Sequence, residues 1–234
     1  MSNEIEPECS PCPEAGGETG SESPSVSSES DGLYASAIKK IPLVVIISGP
    51  SGVGKDAAVG KMKGPNFHFV VTATSRPRRP EEVDGVDYHF LTEQQFEDLL
   101  ERDALLEHAL VYGQYKGIPK QQVQDALASG KDVIMRLDVQ GAATIKDIMP
   151  EAVSIFLTAA SEEELIDRLT RRDTETSDGL QTRISTARDE MKRIREFDYV
   201  IVNSHCQLKD TVKQIKAIIQ AEKCSVERRQ LKLQ

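Results

Sequence analysis

An apolar run that ends in a glycine-rich turn constrains the fold of this chain more than any other feature. Residues 41–47 read Ile-Pro-Leu-Val-Val-Ile-Ile, which is too short for a buried helix and rich in β-branched side chains. Such a run is typical of a strand buried on both faces, as in a parallel sheet. Residues 49–56 follow at once and read Gly-Pro-Ser-Gly-Val-Gly-Lys-Asp. We therefore expect a parallel sheet whose first strand leads into a tight turn.

The turn matches the pattern G-x-x-x-x-G-K, in which backbone N–H groups curl around a phosphate. The helix that should follow adds the positive end of its dipole, and the lysine adds a full charge. An ordinary glycine-rich turn that binds nothing is the alternative, but the spacing and the position after a strand favour phosphate. We expect the phosphates of a nucleotide to contact Gly49, Pro50, Ser51, Gly52, Val53, Gly54, Lys55 and Asp56.

The last residue of this pattern departs from the usual one. A Ser or Thr normally follows the lysine, and its hydroxyl coordinates Mg²⁺. Here the residue is Asp56, whose carboxylate is also a good magnesium ligand but adds negative charge beside a triphosphate. We predict that Asp56 binds Mg²⁺ directly or through a water molecule.

Further strands and helices alternate along the chain. Apolar runs at 133–135, 153–157 and 199–202 indicate strands, and a helix with apolar periodicity is expected at about 207–222. Other helices are marked by capping residues, by a proline before the first turn or by a glycine after the last one. These signals are Thr92 with Gln95, Ser161 with Glu164, and Pro119 with Gly130. The alternation predicts an α/β fold with right-handed crossovers.

The chain divides into segments of different character. Residues 1–38 hold eight acidic residues, nine serines and no Lys or Arg, which predicts a disordered acidic tail. Residues 39–222 should form the folded domain, and 223–234 a short C-terminal tail. Within the domain, 66–118 indicates an insert with its own short elements. The polar segment 171–190 indicates a mobile lid, with a hinge at Asp178-Gly179.

Charge and composition exclude several classes of function. The whole chain has a net charge of −9, nearly all of it in the acidic tail, so we expect no nucleic-acid partner. No apolar run approaches the length of a membrane span, so we expect a soluble protein without a membrane partner. The N-terminus lacks the composition of a targeting peptide. Cys9 and Cys12 form a C-x-x-C pair without a second pair nearby, which argues against zinc.

The motifs, taken in order, resemble those of guanylate kinases. The glycine-rich turn is followed by TSRPRRPEEVDGVDYHF, LLEHALVYGQYKG, VIMRLDVQGA, RLTRRDTE and FDYVIVN, over residues 41–222. The resemblance is nearest to the plant organellar type. It implies a P-loop nucleoside monophosphate kinase fold, with a parallel-sheet core, a GMP-binding insert and a lid. It also implies transfer of the γ-phosphate of ATP to GMP by a direct, Mg²⁺-assisted in-line reaction.

The resemblance assigns roles to individual residues. On the side of the acceptor nucleotide, it implies contacts with GMP by Thr72, Arg76, Arg79, Glu82, Tyr88, Glu107, Lys116 and Asp138. Asp138 should lie near both the metal and guanine, and Asn203 should approach the adenine of ATP. The catalytic cations that it implies are Lys55, Arg79, Arg172 and Arg183.

Glu107 also has a physical argument of its own. Guanine presents N1–H and N2–H₂ side by side, and one carboxylate can accept both hydrogen bonds, whereas adenine has no such donor pair. A site of this kind can reject AMP by up to about 10⁴-fold. The alternative is an ordinary acidic residue on the surface of a helix.

Several positions depart from the family's usual residues. Lys116 replaces a second Tyr, Ile118 a Ser or Thr, and Glu81 a Gly. Arg136 stands where an acidic residue is usual, and Asp173 replaces a Gly after the lid arginine. We expect these changes to tune nucleotide affinity, the electrostatics around the metal and the flexibility of the lid.

Two other functions remain as alternatives. A kinase-like scaffold domain would bind protein segments in the old GMP cleft, but such domains typically lose the phosphate-binding turn, which is intact here. A kinase for another nucleoside monophosphate is disfavoured by Glu107. We expect ATP and GMP as substrates, with dGMP as a further candidate, and we expect a monomer, with a dimer as the alternative. The resemblance favours a plastid or mitochondrion, and the absence of a visible transit peptide leaves the cytosol open.

Overall fold

The computed structural model describes residues 41–62, 64–111, 113–171 and 177–225. The predicted acidic tail, Arg172, Asp173 and nearly all of the C-terminal tail lie outside the described residues. In chain order the elements are β1 (Val44–Ser48), α1 (Lys55–Lys61), β2 (Phe67–Phe69), β3 (Ala73–Thr74), β4 (His89–Phe90), α2 (Glu93–Glu101), β5 (Leu105–Val111), β6 (Gln114–Pro119), α3 (Lys120–Ala128), β7 (Asp132–Arg136), α4 (Val139–Ile148), β8 (Val153–Thr158), α5 (Glu162–Thr170), α6 (Ser177–Lys192), a 3₁₀ turn (Arg193–Glu196), β9 (Tyr199–Val202) and α7 (Leu208–Lys223).

The main sheet has five parallel strands in the order β2-β7-β1-β8-β9. Its central strand is β1, and all five of its residues are buried, as the apolar run predicts. Val45 pairs with Ile134 of β7 on one side and with Val153 of β8 on the other. Helices pack on both faces, so the expected α/β fold with a parallel-sheet core is confirmed.

A second sheet lies within the segment predicted to be an insert. Its strand order is β4-β3-β6-β5, with β5 and β6 paired antiparallel as a hairpin. Phe96 of α2 and Tyr115 of β6 stack with ring centroids 5.0 Å apart and help to close a small core beneath this sheet. The predicted segment 66–118 also contains β2, which pairs with β7 in the main sheet, so the second sheet occupies a narrower range.

The capping signals mark the helix ends as expected. Thr92 and Gln95 form a reciprocal capping box at the start of α2. Ser161 accepts a hydrogen bond from the backbone N–H of Glu164 at the start of α5. Gly130, just after α3, adopts the positive φ of 73° that favours glycine there.

A hinge at Asp178-Gly179 stays a prediction, but these two residues do not form a turn. Both residues lie in the first turn of α6, which runs without a break from Ser177 to Lys192. One glycine in a helix costs only about 1 kcal/mol relative to alanine. The packing of Ile184 and Ala187 against the main core outweighs that cost.

None of the helices in the described part of the chain is long and apolar enough to cross a lipid bilayer.

Candidate functional site

The predicted site residues gather where the strands of the main sheet end. The glycine-rich turn follows the carboxyl end of β1, and Asp138 follows the carboxyl end of β7, its neighbour. In open α/β sheets, ligands bind in the crevice at this edge. The second sheet contributes Glu107 and Lys116 to the same region, since both have electrostatic interactions with Asp138.

The glycine-rich turn needs glycine at its first position. Gly49 has a φ of +132°, and a Cβ built there would lie 2.1 Å from the carbonyl oxygen of Leu157. Any side chain would therefore clash with the backbone of β8 as well as strain its own. The turn is held against the sheet at the point where it leaves β1.

Lys55 curls back over this turn. Its ammonium donates hydrogen bonds to the carbonyl oxygens of Gly49 and, at 3.0 Å, Pro50. Loss of solvation lowers the pKa of Lys55 to about 8, although the nearby carboxylates of Glu190 and Asp56 act in the opposite direction. An anion that enters the turn would stabilise the charged form of this desolvated lysine.

Glu190 is a site residue that the sequence analysis missed. It lies on α6, and its carboxylate accepts a hydrogen bond of 3.2 Å from the backbone N–H of Ser51. Burial raises the pKa of Glu190, while Lys55 and the Ser51 N–H oppose that rise. Glu190 is seven residues after Arg183, which places both on the same side of α6. Only this helical spacing could have identified Glu190 in advance.

Both polar atoms of the Asn203 side-chain amide form hydrogen bonds within the protein. Asn203 is 5% exposed; its Nδ2 donates to the carbonyl of Val53 at 2.7 Å, and its Oδ1 accepts from the Thr211 hydroxyl at 2.8 Å. The side chain thus connects the glycine-rich turn to α7. The contact of Asn203 with adenine stays a prediction. The sequence analysis did not predict its structural role.

We expect Asn203→Ala to lower the free energy of unfolding by about 1–3 kcal/mol, because it removes the two buried hydrogen bonds of the amide. Denaturation in urea measures this change. Asn66→Ala is the matched control, since Asn66 is exposed. Equal stability of the two variants would contradict the structural role of Asn203.

A group of charged residues surrounds Tyr88. Glu82 pairs with Arg76 at 2.7 Å and accepts a hydrogen bond of 2.9 Å from the backbone N–H of Arg79. Burial alone would raise the pKa of Glu82, but the hydrogen bonds and charges of the two arginines outweigh it and lower that pKa. The guanidinium of Arg76 lies 5.3 Å from the ring centroid of Tyr88. The structure thus brings these four predicted residues together, with Glu82 placed to orient the arginines.

Arg136 joins this group from the main sheet. Its guanidinium lies 4.6 Å from the centroid of the Tyr88 ring and 2.6 Å from Oδ1 of Asp56. The two residues that depart most sharply in charge from the expected pattern are therefore partners. The sequence contains both departures but not their pairing, because they are 80 positions apart.

Glu107 lies in β5 and is only 4% exposed, so the alternative of a helix-surface acid is wrong. Burial raises the pKa of Glu107 to about 7; Asp138 adds to the rise and Lys116 opposes it. A Cβ on Gly141 would lie 3.0 Å from the Glu107 carboxylate, so the missing side chain at the start of α4 makes room for it. Hydrogen bonds from the N–H groups of a ligand would stabilise the charge of such a buried carboxylate.

Thr72 and Asp138 are two further predicted site residues. Thr72 is buried, and its hydroxyl has no hydrogen-bond partner within the described part of the chain. Oδ1 of Asp138 accepts hydrogen bonds from the backbone N–H groups of Gln140 and Gly141, so this residue caps α4. Ile118 is fully buried in the core beside β7 and presents no polar group.

The predicted metal ligands are Asp56 and Asp138. No group of three or more His, Cys, Asp or Glu side chains suited to a metal ion occurs among the described residues. Two carboxylates with further oxygen ligands from a nucleotide are nevertheless a donor set that suits Mg²⁺, which is usually bound through one or two carboxylates and substrate phosphates.

Comparison with known proteins gives a consistent result. The Guanylate kinase family model matches residues 42–222. The "Guanylate kinase 2, chloroplastic/mitochondrial" of Oryza sativa subsp. japonica is 56% identical over 191 residues, which cover 80% of this chain and 67% of that protein. A guanylate kinase of Clostridium tetani is 41% identical over 187 residues, which cover 80% of this chain and 89% of the relative.

A solved structure agrees with these relatives. The guanylate kinase of Anaplasma phagocytophilum superposes with a TM-score of 0.67 at 28% sequence identity. The match covers 82% of this chain and 92% of that one.

Proposed function

Because this chain belongs to the guanylate kinase family and transfers a phosphoryl group from ATP to GMP, we propose that the residues around the glycine-rich turn and around Tyr88 are its two nucleotide sites. The observation that carries the assignment is the buried Glu107 carboxylate, which lies next to Asp138 and the start of α4. Guanine, with its paired N–H donors, is the base that such a carboxylate recognises.

On the donor side, we propose that residues 49–56 bind the phosphates of ATP. Lys55 already contacts the carbonyls of the turn and would balance the phosphate charge. Arg183 of α6, together with Arg172, would close over the γ-phosphate as it moves. Asn203 would hold the turn in shape and lie beside adenine.

On the acceptor side, we propose that Arg76, Arg79 and Tyr88 bind the phosphate of GMP. Glu82 orients the two arginines through the contacts described above. Lys116 adds a further cation, and Thr72 supplies the unpartnered hydroxyl for the base. With both phosphates held among cations, the transfer requires positioning and charge neutralisation rather than a covalent enzyme intermediate.

Mg²⁺ is the metal that we propose to accompany ATP. A carboxylate has enough lone pairs for several partners, so Asp56 can bind both Arg136 and the metal, and Asp138 can both cap α4 and face it. When bound, the ion would neutralise charge on the transferred phosphoryl group. Asp56→Ser should weaken Mg²⁺ binding to the ATP complex; stronger binding together with higher activity would contradict this role.

Finer properties remain proposals. We propose that the enzyme acts on GMP and also accepts dGMP. We propose a monomer that binds neither nucleic acid nor membranes. The name of the rice relative supports a plastid or mitochondrial location over the cytosol.

A coupled assay of ADP release tests the function directly. With ATP and Mg²⁺, GMP should support turnover and AMP should not. No turnover while GMP still binds would favour the scaffold domain. Turnover with AMP would favour the kinase for another nucleotide and remove the role of Glu107.

Binding of guanosine should weaken as the pH falls, because protonation of Glu107 removes an acceptor. With a pKa of about 7 in the free protein, guanosine affinity should fall about tenfold from about pH 8 to about pH 6. Guanosine is the ligand of choice because it lacks a phosphate that titrates nearby. Calorimetric titrations at several pH values measure the effect. The Glu107→Gln variant should show no such dependence, and tighter binding at low pH would contradict the prediction.

A further inference from the structure

Arg136 occupies a central place between the two proposed nucleotide sites. It is the last residue of β7, which pairs with β1, the strand that leads into the glycine-rich turn. Its side chain is 16% exposed, while that of its partner Asp56 is 55% exposed. The guanidinium therefore lies inside the crevice rather than on an outer surface.

The contacts of Arg136 fix its orientation and leave donors available. Nη1 contacts Oδ1 of Asp56 at 2.6 Å, and Nη2 donates to the carbonyl of Asp87 at 3.2 Å. A guanidinium carries five N–H groups, so these two bonds use only part of its capacity. Its guanidinium carbon lies over the ring of Tyr88, 4.6 Å from the ring centroid.

We propose that Arg136 is a further binding residue for the phosphate group of GMP, and that Asp56 is the residue that positions it. The proposal rests on the proposed GMP site, in which Tyr88 contacts that phosphate. Arg76 approaches the same ring, so the two guanidiniums and the Tyr88 side chain form one group. Arginine is well suited to this task, since its fork of donors matches two phosphate oxygens at once.

An ion pair of purely structural value would not have these properties. Arg188 and Glu162, for example, form an equally short pair, but their side chains are 61% and 50% exposed. Arg136 instead connects Asp56, the residue after Lys55, with Tyr88. The pair thus places a positive charge between donor and acceptor phosphates, where charge develops during transfer.

The neighbouring cations support this interpretation. Burial lowers the pKa of Lys116; Asp138 opposes that effect, and the nearby charges of Arg136 and Arg76 add to it. Three cations therefore lie close enough to repel one another. A phosphate dianion would relieve that repulsion, whereas Asp56 and Glu82 are already paired with Arg136 and Arg76.

Calorimetric titrations with GMP and with guanosine, without ATP and in the presence of EDTA, separate phosphate contacts from base contacts and from metal. Arg136→Gln should weaken GMP binding by about 10- to 100-fold, as expected for a lost charge-assisted hydrogen bond. Guanosine binding should not change. Asp56→Asn should weaken GMP binding by a smaller factor, and it should add little in the Arg136→Gln background, since the two act through one contact. Asp56→Glu, which keeps the carboxylate, should bind GMP more tightly than Asp56→Asn does.

Arg102→Gln is the matched control, because Arg102 is exposed at the end of α2. Unchanged GMP binding by a folded Arg136→Gln variant, or equal weakening of GMP and guanosine, would overturn the proposal. Arg136→Lys, which keeps the charge, should bind GMP with intermediate affinity; if neither variant folds, the role is structural and the proposal is lost. If the proposed function itself were wrong, the unmodified protein would not bind GMP, and this result distinguishes the two cases.

Discussion

Replacing Lys55 by methionine should abolish most of the kinase activity while leaving the protein at least as stable as before. The ammonium is the only full positive charge within residues 49–56, and it lies over the carbonyls of Gly49 and Pro50. Removing a preorganised charge that acts on the transition state typically lowers kcat by about 10²–10³-fold. Steady-state assays with GMP and ATP measure that loss.

The stability of the Lys55→Met variant follows from the cost of burying a cation. The pKa of Lys55 is about 8 in the folded protein, against 10.5 in an exposed lysine, so the folded state holds this proton more weakly than the unfolded state does. The contribution of Lys55 to the free energy of unfolding should therefore increase as the pH rises from about 8 towards 10.5. Methionine keeps the length of the side chain without the charge, and the variant should lack this pH dependence.

Two results would contradict this expectation. Lys61→Met is the control, since Lys61 is the exposed last residue of the same helix. If both variants kept full activity, Lys55 would not serve the transfer. If Lys55→Met melted well below the control, its contacts with the turn would be structural rather than catalytic.

The main elements of the fold could be predicted because their signals are local. The β-branched run of β1, the capping box at Thr92 and the glycine after α3 each act within a few residues. At Asp178-Gly179 the local turn signal does not produce a turn, since these residues begin α6, whose packing the sequence does not display. Local signals therefore identify most helices and strands, and tertiary packing determines the segments that depart from their local signal.

The site could be predicted in part. Motif resemblance located the residues around Tyr88, and the structure shows how Glu82 joins its arginines. The partnership of Arg136 with Asp56, the contact of Glu190 with Ser51 and the double anchoring of Asn203 were not predictable. Each joins positions on different elements, and only the topology of the sheet brings them together.

Glu107→Gln should reduce the preference for GMP over AMP, mainly by impairing GMP. The amide keeps one acceptor but presents an NH₂ group to guanine donors, so one hydrogen bond is lost and a repulsive contact replaces it. Because a hydrogen bond to a charged group contributes about 1.5–3 kcal/mol, kcat/KM for GMP should fall by about 10- to 150-fold. The value for AMP should change little, since adenine offers no donor pair for the carboxylate.

The stability of the Glu107→Gln variant tests whether the side chain is as buried as the structure indicates. The folded protein holds the Glu107 proton up to a pKa of about 7, against 4.5 in an exposed carboxyl group. Its contribution to the free energy of unfolding should therefore fall as the pH rises between these values, and the Gln variant should lose that slope. Melting curves at several pH values, with Glu101→Gln at the exposed end of α2 as control, measure the difference. If the pH dependence of stability were lost while the kinetics with GMP stayed unchanged, the carboxylate would be buried but would not recognise guanine.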